Sequence, residues 1–458
     1  MEVWEVVLAG IICGVIVVYG LLKEANEWFY VRRLGKKRFY LPPGNMGWPF
    51  IGNMLSFFKA FRSSDPDSFI SSYAKRFGRI GVYKAFMFQS PTIMVTVPET
   101  CKQVLQDEVR FKPGWPKTTV RLIGEKSFIG LSYDEHKRIR KLTAGPINGK
   151  EALATYLGFI EETVVHTLET WTVMGNIEFL THLRKLTFKI IMYIFLSKKN
   201  DHLIEALERE YTAINNAVRA MAINIPGFAY HKALKARKKL VDALQAILSA
   251  RRAERVTAAP QAKKDMTDAL IDAEDEKGHK LSDEEIIDIL IMYLNAGHES
   301  IAHITMWATC FLQEHEEVFQ KAKAEQDEIV RTRPQGQKGL TLTEYRKMTY
   351  LSKVIDETLR VVSISNIVFR EANNDVKIGG YIIPKGWKVA VWLRNVHMDS
   401  EVYPNPKEFN PSRWDGPPPK AGTFLPFGAG SRLCPGNDFA KLEISIFLHY
   451  FLLNYECV

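Results

Sequence analysis

Residues 427–436 read Phe-Gly-Ala-Gly-Ser-Arg-Leu-Cys-Pro-Gly, which sets one thiol, Cys434, in a glycine-rich loop two residues after an arginine. Glycines at 428, 430 and 436 let the backbone turn tightly and come close to a flat ligand. A largely apolar segment, Phe439–Leu452, follows directly, and amides near a helix N-terminus lower a thiol's pKa and favour the thiolate. The chemistry on offer is thiolate donation to a metal, with Arg432 pairing an anionic group of the same ligand. A second stretch, Asn295-Ala296-Gly297-His298-Glu299-Ser300, places an acid beside an alcohol. Its asparagine, glycine and hydroxyl all oppose helix propensity in mid-helix, and such local violations are expected at functional sites. A third, Glu357-Thr358-Leu359-Arg360, puts an acid and a base one turn apart among apolar neighbours, a setting that predicts burial.

Elements must hold these groups. Ser282-Asp283-Glu284-Glu285 is a capping box, and it opens an apolar helical pattern over Ser282–Glu314 that carries Glu299 and Ser300. Helical spacing of apolar residues also predicts helices over Glu151–Thr172, Leu203–Ala222 and Lys232–Ala253. Arg79–Phe88 and Ser90–Val97 alternate as a β-hairpin, and strand signals return over Val376–Trp392, with turns at Gly379-Gly380 and Pro384-Lys385-Gly386. Asn224-Ile225-Pro226-Gly227 reads as a loop, and the charged stretch Glu254–Lys280 as surface. The fold class expected is mainly α with a small β portion.

The chain has 458 residues and a net charge of +9, which suits work beside an anionic membrane or an acidic partner. No basic run is interleaved with stacking aromatics, so nucleic acid is not an expected partner. Five cysteines lie far apart with no C-x-x-C pair, which argues against zinc and for a reducing compartment. Val6–Leu22 carries no charge and, as a helix, would extend about 25 Å, enough to cross a slightly thinned bilayer. Glu2 and Glu5 precede it, while Arg32, Arg33, Lys36, Lys37 and Arg38 follow. That order predicts a retained N-terminal transmembrane anchor, with Trp28, Phe29 and Tyr30 at the interface and the body in the cytosol. Leu41-Pro42-Pro43-Gly44 is a hinge, so the expected domains are 1–40, anchor and basic flank, and 41–458, the catalytic body.

The pattern Phe427-x-x-Gly430-x-Arg432-x-Cys434-x-Gly436 resembles the haem-ligating loop of the cytochromes P-450, and every position of it is present. Ala296-Gly297-His298-Glu299-Ser300 resembles their oxygen-activation motif, with serine where threonine is usual. The resemblance implies the cytochrome P-450 fold and haem b, its iron ligated by Cys434, with Phe427 and Arg432 at the haem. It assigns Glu299 and Ser300 the acid–alcohol role in a helix opened locally to hold O2. Arg140, His136 and Arg370 look like propionate-binding residues, many members having tryptophan where His136 stands. Glu357, Arg360 and Arg413 look like the buried charge network that supports the haem loop. Electrons would come from NADPH through a membrane-bound flavoprotein, NADPH–cytochrome reductase; the chain has no G-x-G-x-x-G or P-loop of its own.

Several longer stretches narrow the resemblance. Phe111–Lys117, Glu178–Phe188, Pro226–His231, Met292–Ser300 and Lys441–His449 look very like plant ent-kaurenoic acid oxidases. This implies successive C–H oxidations of a hydrophobic diterpenoid acid in gibberellin biosynthesis, at the endoplasmic reticulum membrane. A related group that oxidises triterpenes such as β-amyrin is the alternative. The substrate's carboxylate calls for a cation, and Lys117 or Arg121, in the region corresponding to the family's B–C loop, is the expectation. The family continues well beyond Asn454 in a hairpin that closes one side of the substrate pocket, whereas this sequence stops at Cys457-Val458. A short form lacking that hairpin, or an inactive haem-binding remnant, is therefore a further reading.

Overall fold

The computed structural model describes residues 3–197, 201–218, 220, 222–257 and 265–456. It is mainly helical with a small β portion, and it divides into two compact units.

The first unit comprises Met1–Pro116, Ser365–Pro404 and Lys420–Gly430. Its strands are β1 Val82–Met87, β2 Ser90–Val95, β3 Phe111–Pro113, β4 Ile367–Ala372, β5 Val376–Ile378, β6 Tyr381–Ile383 and β7 Lys388–Trp392. Five of them form one sheet in the order β1-β2-β7-β4-β3, and β5 and β6 form a separate pair. The β1–β2 hairpin turns at Phe88 and Gln89, both with positive φ, the backbone twist a two-residue hairpin prefers. Alternate residues of a strand face opposite ways, and each face of this sheet has its own core. Val82, Phe86, Ile93, Val95, Val389 and Val391 enter one, and Tyr83, Ala85, Met87, Met94, Ala390 and Trp392 the other. That double burial is why β7 is apolar from Val389 to Trp392.

The second unit, Lys117–Ile364, Asn405–Pro419 and Ser431–Val458, is helical. Its axis is the long helix Asp283–Glu314, whose residues Ile286–Leu294 are buried all round, as befits a helix inside a core. The capping box at its start is formed: Ser282 Oγ accepts from the Glu285 amide at 3.2 Å, and Glu285 Oε2 accepts from the Ser282 amide at 2.8 Å. Around it pack helices Phe179–Leu196, Ala229–Thr257, Thr349–Val362 and Asn437–Asn454.

The periodic segments are helices with shifted ends: Lys150–Met174, Asp201–Val218 and Ala229–Thr257. The stretch 254–280 departs in part from the surface expected of it: Glu254 and 276–280 are exposed, whereas 265–271 is largely buried. Residues 258–264 lie outside the described residues, but Met266–Asp272 is a short helix with Met266, Thr267 and Leu270 buried. Its acids are no barrier to burial, because Arg251 pairs with Asp265 and Asp268, and Arg255 with Asp268 and Asp272.

Val3–Asn26 is one helix. Among the described residues no helix is long and apolar enough to cross a membrane; the side chains of Val6 and Ala9 in the expected anchor lie outside them. Cys457 and Val458 also lie outside the described residues.

Candidate active site

In the second unit, Cys434 stands just before helix Asn437–Asn454, whose N-cap is Gly436. Burial pushes the Cys434 thiol above its ordinary pKa, while the Gly436 amide and the Arg140 charge pull the other way. The loop is tied from helix Tyr133–Asn148: Asn148 Nδ2 donates to the Pro435 carbonyl and, at 3.3 Å, to Asn437 Oδ1. Arg432 donates to the carbonyls of Phe128 at 3.0 Å and Leu131 at 3.3 Å. Phe128 sits edge-on to the buried ring of His136, 5.2 Å between centroids. Arg140 lies one turn beyond His136 on the same helix.

The long helix brings Glu299 and Ser300 into the same unit, but in separate settings. Glu299 is gripped by Arg184 of helix Phe179–Leu196 through two hydrogen bonds, Nε to Oε2 at 2.9 Å and Nη2 to Oε1 at 2.7 Å. Burial raises its pKa, yet the Arg184 hydrogen bond and charge outweigh that and hold the carboxyl below the ordinary value. Ser300 Oγ instead donates to the Ala296 carbonyl at 2.6 Å. Met292, Ala296, Ser300, His303 and Trp307 form one stripe of the helix, on which Ala296 and Trp307 are exposed. No break in helix marks the local opening expected here: the helix runs unbroken from Asp283 to Glu314. Gly297 serves close packing instead, since a Cβ there would stand 2.5 Å from Ile191 Cδ1.

Glu357 and Arg360 are both fully buried. Arg360 makes two hydrogen bonds to Glu357, at 2.9 and 2.7 Å, and the Arg413 guanidinium and Trp414 indole each reach the same carboxylate at 3.1 Å. Arg360 also donates to the carbonyls of Pro406 and Glu408. The expected three-charge network is formed, with Trp414 as an added member.

In the first unit, Phe427 is half-buried just after Leu425, whose carbonyl accepts from the Gly428 amide at 3.0 Å. Gly430 has φ +76°, and a Cβ there would meet the Leu105 carbonyl at 2.6 Å. So this glycine of the loop answers a neighbouring backbone. Arg370 is buried on β4 and donates to the Phe369 carbonyl at 3.2 Å. Residues that sequence reasoning left unassigned are Arg184, which holds the acid, and Asn148, which holds the cysteine loop. Neither carries a local signal, because their partners lie 115 and 287 residues away.

A thiol at a helix start, and an acid and an alcohol on one long helix within a mainly helical fold, are the parts that the resemblance of the cysteine loop implied. The cytochrome P450 family model matches residues 42–458, and the chain belongs to that family. It is 63% identical, over 97% of its length and 91% of the relative's, to ent-kaurenoic acid oxidase 2 of Arabidopsis thaliana. It is 59% identical to ent-kaurenoic acid oxidase of Oryza sativa subsp. japonica, over 99% of this chain and 90% of the relative. Similarity extends to a 7,8-epoxymelianol synthase of Ailanthus altissima, 54% identical over 98% of this chain and 91% of that one. Among solved structures, a retinoic acid-bound cyanobacterial P450 covers 90% of this chain and 91% of its own, with a TM-score of 0.79 and 26% identity.

The protein is thus a monooxygenase that uses haem iron, O2 and electrons from NADPH delivered by a reductase. The chain's own residues fit that group. Cys434 is a free thiol within reach of a backbone amide. Arg140, close enough for its charge to act on that thiol, has no hydrogen bond or ion pair to its guanidinium among the described residues. A half-buried cation left in this state suits an anionic ligand group such as a propionate.

Proposed function

We propose that this enzyme oxidises ent-kaurenoic acid by successive C–H oxidations in gibberellin biosynthesis. The observation that carries the substrate is 63% identity over 97% of the chain to a protein named for that activity. Bound haem supplies reductive activation of O2 and the oxidising power for a C–H bond. Cys434 is the thiolate ligand, its charge favoured by the Gly436 amide at the helix start. Arg432, Arg140 and His136 hold the propionates. Ser300 supplies a hydroxyl donor, for which its Oγ must leave the Ala296 carbonyl, and Glu299 passes protons to it from solvent. Lys117 and Arg121 are exposed and one turn apart on helix Lys117–Ile123, and either can reach a substrate carboxylate.

Attachment to the endoplasmic reticulum membrane through residues 1–40 belongs to the same reading. Leu8, Ile11, Ile12, Val15, Ile16, Val17, Val18 and Leu21 are all exposed on the first helix, and an exposed apolar surface of this extent calls for a non-aqueous partner. The basic residues after it favour the cytosolic side for the body.

The test is product analysis with the full chain, NADPH and its reductase, offering ent-kaurenoic acid and β-amyrin side by side. Stepwise oxidation of the acid is expected. A preparation with the thiolate-type reduced, carbon monoxide-bound spectrum that leaves the acid untouched overturns the reading. Conversion of the triterpene alone would favour the second reading.

A further inference from the structure

We propose that Asp288 and Arg237 form a clamp that fixes where helix Lys117–Ile123 stands beside the long helix, and that both are positioning residues for substrate binding. Asp288 lies in the run Ile286-Ile287-Asp288-Ile289-Leu290, with its side chain 3% exposed. A carboxylate in such a place is costly unless it is paired and hydrogen-bonded, and here both oxygens are used. Oδ1 accepts from Arg237 Nη2 at 2.5 Å, and Oδ2 accepts from the Lys126 amide at 2.9 Å. Arg237, on helix Ala229–Thr257, turns its other arm to the Leu122 carbonyl at 3.1 Å and the Ile123 carbonyl at 3.0 Å. Those are the last two carbonyls of helix Lys117–Ile123, which have no partner within the helix itself.

The loop that follows is shaped to the acid. Gly124 has φ +132°, and a Cβ there would stand 2.3–2.5 Å from the Asp288 carboxyl atoms. The short helix is therefore gripped at its C-terminal end by one charge pair that joins two long helices. Asp288 is two turns before Asn295 on the helix that carries Glu299 and Ser300. The clamp thus refers the position of Lys117 and Arg121 to the element on which oxygen chemistry is proposed. Other buried ion pairs of this unit, such as Arg251 with Asp265 and Asp268, do not touch that short helix.

The inference rests on the proposal that this short helix faces the substrate acid. The experiment uses the haem-loaded full chain with Asp288→Asn, Arg237→Gln and the double substitution. Ent-kaurenoic acid is titrated by the change in haem absorption, kcat and KM are measured, and amide hydrogen exchange is followed over residues 117–131. Each single variant is expected to raise Kd and KM about tenfold with a smaller effect on kcat, and to speed exchange over 117–126. The double variant is expected to be no worse than the worse single, since both act through one contact. Arg237→Lys keeps a charge for Asp288 but loses the fork to the two carbonyls, and decides the matter if Asp288→Asn does not retain haem. Unchanged exchange over 117–126 and unchanged Kd in a variant that keeps its thiolate spectrum overturn the clamp. So does loss of protection along the whole long helix, which would make the pair general bracing. If the natural chain itself does not bind the acid, the proposed function fails, and the exchange data still decide the clamp.

Discussion

Glu299 and Glu443 are both acids in the second unit, and their surroundings push them in opposite directions. Arg184 holds Glu299 below the ordinary carboxyl pKa of 4.5, so its ion pair contributes stability that is fully present above that value and is lost as pH falls through the lower, folded one. Arg184→Met removes the pairing and leaves the acid buried without its cation. The acid limb of the kcat–pH profile is then expected to move to higher pH, whereas a purely structural role for Arg184 would lower activity equally at all pH. Glu443 is fully buried with neither carboxyl oxygen hydrogen-bonded, and burial drives its pKa well above 4.5. It folds as the neutral acid, while the unfolded chain ionises there above pH 4.5, so folding loses stability as pH rises from that point. Glu443→Gln, neutral at every pH, is expected to raise the melting temperature by about 2 °C or more at pH 8 and to have no such effect below pH 4.5. Thermal melts at the two pH values check this.

At the scale of elements, the long helix approaches helix Phe179–Leu196 closely because residue 297 has no side chain. Gly297→Ala gains about 1 kcal/mol of helix propensity but forces Ile191 Cδ1 aside. Ile191→Val deletes that carbon at a cost of about 1 kcal/mol by itself. The double variant is therefore expected to be more stable than Gly297→Ala alone, and chemical denaturation of the four proteins checks the sign. The helix Thr349–Val362 is fixed to the segment around Arg413 by Glu357, which is wholly buried and accepts from Arg360, Arg413, Trp414 and the Asn410 amide. Glu357→Ala leaves buried cations without their anion, which costs about 3–5 kcal/mol. Loss of haem-loaded protein on expression is the expected result, read as the carbon monoxide band per mass of chain.

For the molecule as a whole, the exposed apolar residues of the first helix predict the effect of removing residues 1–40. Sedimentation with membranes is expected to fall, while the haem spectrum of the remaining body is kept. Retention in the membrane pellet would place the attachment elsewhere. The prediction is specific because the apolar side chains on that helix are exposed, whereas those of the long helix Asp283–Glu314 are mostly buried within its unit.

Much of this protein was legible in its sequence because the informative signals are local. The cysteine loop, the capping box at Ser282, the hairpin and the helical periods each involve residues within a few turns, whose spacing alone dictates how they lie. The charge network was partly legible, since Glu357 and Arg360 are one turn apart, though Trp414 joined it only through the fold. Reading Glu254–Lys280 as surface holds at 276–280 but failed at 265–271, because charge there signalled solvent, whereas the acids of that segment find their arginines on a helix earlier in the chain. The tertiary structure alone decided that Glu299 is held by Arg184, that Gly297 makes room for Ile191, and that Asp288 and Arg237 meet the end of helix Lys117–Ile123 and the loop after it. Those pairings join residues between 51 and 162 positions apart. Sequence periodicity places such residues on helices, but only the packing of those helices brings their side chains into contact.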